Sequence, residues 1–176
     1  MNPEHPIANI IEKLMGFSLE VFFFASGFLY VRSSQFDKPY SSLIFSKFKR
    51  LLIPYFFITV VMFVIKLALP SMMGRDVEFG VGYIYKMFLF PWEGPARHVW
   101  FLASLFTFFA LMPLYKWTLL RNRKESAILV LVLLFVLQQT AEVYIPWDFC
   151  AIDRSARYFI YFYLGMCLMK WDLVKY

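Results

Sequence analysis

Histidine and cysteine are nearly absent from this chain, two of each, and that scarcity closes several chemistries at once. His5 and His98 stand far apart, and neither lies at helical spacing from a cluster of carboxylates, so a zinc site has little to build on. Cys150 and Cys167 fall in no metal-ligand pattern and are expected at different depths, which argues against a disulfide framework. No glycine-rich loop of the Walker or dinucleotide kind occurs either. No metal, no bound cofactor and no nucleic-acid partner is therefore expected. Alternation of apolar and polar residues at strand period is also missing, which speaks against a β-barrel.

What the chain has in excess is apolar and aromatic side chain: 61% hydrophobic and 22% aromatic, with 22 Phe and a mean hydropathy of +0.60. A soluble domain is roughly 45–50% apolar. Five windows approach the ~20 residues that cross a hydrocarbon core about 30 Å thick. They are Phe17 to Val31, Leu51 to Leu69, Val99 to Trp117, Ala127 to Ile145 and Ala156 to Met169, the first and last being short. A backbone in lipid must satisfy its own polar groups, so each is expected to be an α-helix. Pro54 is expected in the first turn of the second helix, where a missing N–H costs little. The fold expected is all-α: a polytopic transmembrane helical bundle of five membrane-spanning helices, forming one domain over residues 1–176.

Basic residues orient this bundle. Arg32, Lys38, Lys47, Lys49 and Arg50 fill the first connection, Lys116, Arg121, Arg123 and Lys124 the third, and Lys170 and Lys175 the tail. By the positive-inside rule these face the cytoplasm, as in a multi-pass protein of a bacterial cytoplasmic membrane. Met1 to Gly16 then falls outside without the pattern of a secretory signal. Between Pro70 and His98, glycines and prolines mix with aromatic residues. A short interfacial helix is expected over Val81 to Phe90, with Trp92 and Trp100 at headgroup depth.

Three constellations could carry chemistry. Glu20 stands in the apolar run Glu20 to Tyr30, and a charged residue in lipid costs about 2.5–3.5 kcal/mol, so it is expected to face a polar cavity or a partner, or to snorkel outward. Ser26 and Gly27 break the same run and allow close helix packing. Lys47 and Arg50, in Lys47-Phe48-Lys49-Arg50, share a helical face at i and i+3. That face could hold a phosphate or anchor the chain to anionic lipid. His98, in Arg97-His98-Val99-Trp100, could act as a base or hydrogen-bond a sugar, and Trp100 could stack on a sugar ring or simply mark the interface.

The order of these pieces carries a resemblance. Glu-Val-Phe-Phe-Phe-x-Ser-Gly-Phe-Leu over Glu20 to Leu29 is followed by Lys-Arg-Leu-Leu-Ile-Pro-Tyr over Lys49 to Tyr55. His-Val-Trp-Phe-Leu over His98 to Leu102 and Tyr-Phe-x-x-Phe-x-x-Gly over Tyr158 to Gly165 complete the series. Together they resemble the integral-membrane acyltransferase 3 family, across nearly the whole chain. The resemblance implies transfer of an acyl group, commonly acetyl from acetyl-CoA, to a sugar hydroxyl of a cell-surface glycan or related carbohydrate. It implies that Lys47 and Arg50, with Lys49 beside them, meet the phosphates of the acyl-CoA donor, and that Ser26 matches the family's Ser-Gly break. Glu20 falls where members often carry an acid.

One departure weighs on that expectation. Family members usually begin with a helix bearing a basic residue and, about a dozen positions on, a histidine that deprotonates the acceptor. This chain starts after it and stops near the sixth of about ten helices. The catalytic residue is therefore left unassigned, His5 not being given that role, and an incomplete, inactive acyltransferase is expected. The alternative from another class is a non-catalytic helical membrane subunit of a polysaccharide assembly or export system. Acyl-CoA, a carbohydrate acceptor and the lipid bilayer are the partners expected.

Overall fold

The computed structural model describes residues 6–33, 37–68, 81–91, 94–120, 124–144 and 149–171. Among them every regular element is helical. Helix α1 spans Pro6–Arg32, α2 Tyr40–Lys47, α3 Ile53–Ala68, α4 Val81–Leu89, α5 Trp100–Ala110, α6 Met112–Leu120, α7 Lys124–Tyr144 and α8 Ile152–Lys170. The short helix expected over Val81 to Phe90 is α4. Residues 70–80 of the connection before it and Trp92 lie outside the described residues.

The first boundary differs from the sequence expectation. Met1 to Gly16 was expected as an outer loop, but α1 already begins at Pro6. Proline suits that place, because the first turn of a helix has no use for its missing N–H and its fixed φ is preset for the helix.

Proline also explains the next two differences. The second apolar window does not begin near Pro54: α2 and α3 form one continuous helix over Tyr40–Ala68, joined by a π-helical segment, Phe48–Leu52. Pro54 is thus an interior residue. It offers no N–H to the Arg50 carbonyl and its ring would crowd that oxygen in a regular α-turn. The wider turn just before it relieves the conflict, and the Ile53 N–H bonds back to Phe48 O, five residues away. The third window is divided in the same way. α5 and α6 meet at a 56° bend, two residues before Pro113, which has no N–H for the Phe109 carbonyl. Leu111 N closes the end of α5 on Thr107 O (2.9 Å), and Leu114 N bonds Leu111 O (3.0 Å).

Three helices run parallel through the centre. Phe23 meets Trp100 and Tyr30 meets Phe109, so α1 follows α5. Trp100 meets Tyr158 and Phe109 meets Phe162, so α8 follows α5 as well. The α2 segment and its π turn run the other way along α5, with Tyr40 Oη donating to Ala110 O (2.8 Å) and Phe48 against Phe106. α7 opposes α8, its Gln138 reaching Tyr161 while Lys124 lies near Trp171.

α1 packs most extensively on α8, and two glycines make that approach possible. A Cβ on Gly27 would overlap the Phe162 carbonyl oxygen, and one on Gly165 would overlap the Phe24 carbonyl oxygen. Backbone therefore lies against backbone, as small residues permit between helices whose association depends on close van der Waals packing. Around this crossing Phe23, Phe108 and Phe162 are fully buried, in ring contacts of 5.3 Å, each pair worth about 0.5–1.5 kcal/mol beyond simple burial.

The outer faces are the reverse of a soluble protein's. Ile53, Phe56, Phe57, Val60, Val61 and Val64 form an exposed row along α3, with Phe57 68% exposed, and Ile128, Leu129, Val132, Leu133, Phe135 and Val136 form another along α7. Contiguous apolar area of this kind marks a membrane or partner surface. Among the described residues, Tyr40–Ala68 is long and apolar enough to cross a membrane, and the bent pair α5 and α6 gives a second candidate if it counts as one span.

Candidate functional site

Beside the α1–α8 crossing, the interrupted helix α2–α3 leaves a cavity of about 480 Å³. α1 contributes Ser26, Leu29, Tyr30, Arg32 and Ser33, the α2–π segment contributes Lys47, Arg50 and Leu51, and α5 contributes Leu105 and Phe109. The volume lies within the 300–1,000 Å³ usual for small-molecule sites. Among the described residues its polar groups are three cations and a few hydroxyls, with no carboxylate in the lining.

The chain's local structure sets this composition. Lys47 is the last residue of α2 and Arg50 lies within the π segment. The Lys47 ammonium rests 4.0 Å from the Phe109 ring centroid and 5.9 Å from that of Tyr30, a cation–π contact that holds the charge at the cavity wall. The Tyr30 hydroxyl donates to the Met112 sulfur (3.1 Å), fixing one ring of that pair. Ser26 Oγ donates to Phe22 O (2.8 Å) and Ser33 Oγ to Tyr30 O (3.0 Å), so both hydroxyl oxygens keep acceptor capacity.

The other residues singled out in the sequence go elsewhere. Lys49 is exposed and lies over the Phe45 ring at 4.4 Å, away from the cavity lining. Glu20 is at the opposite end of the bundle. Its Oε1 accepts from Tyr161 Oη (3.0 Å), which in turn accepts from Gln138 Nε2 (3.2 Å), so the acid joins α1, α8 and α7. Trp100 is enclosed within the bundle. It is only 5% exposed, packed against Phe23 and Tyr158 with the Arg154 guanidinium 5.2 Å over its ring, because the parallel helices α1 and α8 enclose the start of α5. His98 is exposed in the 3-10 turn Arg97–Val99 that leads into α5. His5 lies outside the described residues.

Sequence reasoning missed Arg32, Ser33 and the aromatic shelf of Tyr30 and Phe109. Arg32 had been read only as one of the charges that orient the chain. The signal was its distance from Ser26: six residues further along the same helix, roughly 9 Å at 1.5 Å per residue. Among the described residues no group of three His, Cys, Asp or Glu could hold a metal. Cys150 and Cys167 are both free. Burial raises the Cys150 thiol above its ordinary pKa, which leaves it a poor nucleophile.

Among the described residues the chain is all-helical, with apolar outer faces and a cavity whose charged lining groups are Arg32, Lys47 and Arg50, the features of a membrane-associated helical protein. Residues 2–173 match the profile of a family described as an acyltransferase domain. The chain belongs to the acyltransferase 3 family. No curated protein and no solved structure matches it.

Proposed function

We propose that this chain forms the donor-binding part of a membrane-bound O-acyltransferase that takes acetyl from acetyl-CoA to a sugar hydroxyl of a cell-surface glycan or related carbohydrate. The observation that carries the reading is the convergence of Ser26, Lys47 and Arg50, from separate parts of the chain, on one cavity with no carboxylate in its lining. Clustered cations suit the phosphates of CoA, with arginine able to bind an oxyanion through two hydrogen bonds. Leu29, Leu51, Leu105 and Phe109 make the rest of that wall apolar, which suits a donor whose phosphates adjoin an uncharged arm.

Helix directions and charge support a five-span arrangement in a bacterial cytoplasmic membrane. The C-terminal ends of α1 and α8 lie at the same end of the bundle as the N-terminal ends of α2 and α7, and there Arg32, Lys38, Lys47, Lys49, Arg50, Lys124 and Lys170 gather. That end faces the cytoplasm on the positive-inside rule, where CoA is available. In the reaction the acceptor hydroxyl adds to the thioester carbonyl and loses its proton to a base. The C–S bond then breaks, and CoA leaves as a thiolate that takes up a proton. Clustering donor and acceptor in a water-poor cavity supplies the orientation that this step needs.

The test is equilibrium binding of CoA to the full chain in lipid nanodiscs. Lys47→Gln combined with Arg50→Gln is expected to weaken binding by about 100-fold or more while far-UV helicity stays unchanged and the thermal midpoint shifts little. Binding unaffected by charge removal would reject the donor site and favour a non-catalytic membrane subunit.

A further inference from the structure

The three cations of the cavity are arranged in sequence along it, and their order can be read from α5. Tyr30 lies opposite Phe109 and Phe22 opposite Phe101, so the parallel α1 places Ser26 near the level of Leu105 and carries Arg32 past Phe109. The opposed α2–π segment places Lys47 at Phe109, while Phe48 meets Phe106 and Arg50 continues toward Leu105. Passing from the end of α1 inward, the charges are Arg32, then Lys47, then Arg50, with Ser26 and Leu51 at the inner end.

Arg32 is exposed, as Arg50 is, and Ser33 beside it lines the same cavity. The nearest acid along the chain with a described position is Asp37, exposed in the turn before α2 and absent from the lining. Among the described residues, then, no carboxylate stands with Arg32 in the lining.

CoA carries its charges in a matching order: the thioester, the neutral pantetheine arm, the diphosphate, and last the 3′-phosphate of the ribose. A donor whose thioester points inward past Ser26 sets its diphosphate against Lys47 and Arg50. We propose that Arg32 binds the ribose 3′-phosphate of the donor, so that this site selects 3′-phosphorylated CoA thioesters over dephospho-CoA thioesters and over thioesters of phosphopantetheine alone. This rests on the donor-site reading of the cavity and adds to it a specificity residue. Arg32 is a positioning residue, since it meets the donor far from the bond that breaks.

The experiment compares CoA with dephospho-CoA on the full chain in nanodiscs, for wild type, Arg32→Gln and Arg32→Lys, at two salt concentrations. Wild type is expected to bind CoA about tenfold more tightly than dephospho-CoA, the worth of one charge-assisted contact. Arg32→Gln removes that preference by weakening CoA alone, and Arg32→Lys restores part of it. Retained dephospho-CoA affinity in Arg32→Gln serves as the folding control, and a variant that loses both ligands is replaced by the Arg32→Lys comparison. Equal affinity of wild type for the two ligands, or a preference that survives in Arg32→Gln, would overturn the role of Arg32 while leaving the donor site standing. No CoA binding in wild type would overturn the donor site and this assignment together.

Discussion

The two ends of the three parallel helices use charge in opposite ways. Toward the start of α5, Glu20 accepts from Tyr161 midway along α8, Gln138 supports that tyrosine, and Arg154 near the start of α8 covers the buried Trp100 ring. Polar groups there hold helices together. At the other end the π segment and the end of α1 direct Arg32, Lys47 and Arg50 at a cavity. The same helices α1 and α5 serve both ends. A charge opposite a partner becomes a joint, and a charge opposite open space becomes a binding group.

The largest effect that sharpens this contrast lies between the two ends. Gly27→Val should prevent the α1–α8 approach, because its side chain meets the Phe162 backbone and not a side chain that can move. A loss of at least about 3 kcal/mol, the upper range for overpacking, is expected as a fall in the thermal midpoint and in recovered folded protein. Unchanged unfolding would mean that the helices can separate without cost.

Next in size is charge removal at the cavity. Lys47→Gln with Arg50→Gln should weaken CoA by about 100-fold or more, two charge-assisted contacts being lost, with a thermal midpoint shifted by little. Calorimetric titration and a melting curve on the same sample separate the two. Pro54→Ala acts more gently. Restoring an N–H opposite the Arg50 carbonyl lets the π segment return to α-helical spacing, turning Lys47 and Arg50 relative to each other. CoA affinity is expected to fall severalfold while the helix itself becomes more stable by up to ~3 kcal/mol, the ordinary interior proline penalty. Loss of stability instead would show that Pro54 belongs to the packing and does not set the turn.

The smallest effect belongs to the joint. Glu20→Ala and Tyr161→Phe should each cost about 0.5–1.5 kcal/mol of stability, and the double variant less than their sum, since both remove one hydrogen bond. CoA affinity is expected to stay within twofold. A loss of CoA binding in Glu20→Ala would erase the distinction between the two ends.

Much of this was legible in residue order. That the apolar windows are helical, and that a short helix lies near Val81, could be read because composition and backbone chemistry favour helix there before any particular contact. The cluster at Lys47 and Arg50 could be found because i and i+3 neighbours share a face. Other features were hidden for physical reasons. Trp100 looks like an interfacial tryptophan until α1 and α8 are seen to close around it, and Glu20 looks poised for a cavity until Tyr161, 141 positions away, takes its oxygen. Arg32 looked like an orientation charge, since nothing in its neighbourhood reveals what lies across from the end of α1.

By itself the sequence determined the helical state, the apolar outer surface and the family. These follow from composition, backbone chemistry and motifs a few residues long. Tertiary structure alone decided which charges are partnered and which face space, because that depends on the direction and closeness of helices far apart in the chain. Two glycines set the closeness of α1 and α8. The parallel course of α1, α5 and α8 set Glu20 against Tyr161 and Arg32 beside the cavity, and only that placement separates a partnered acid from a cavity-lining arginine.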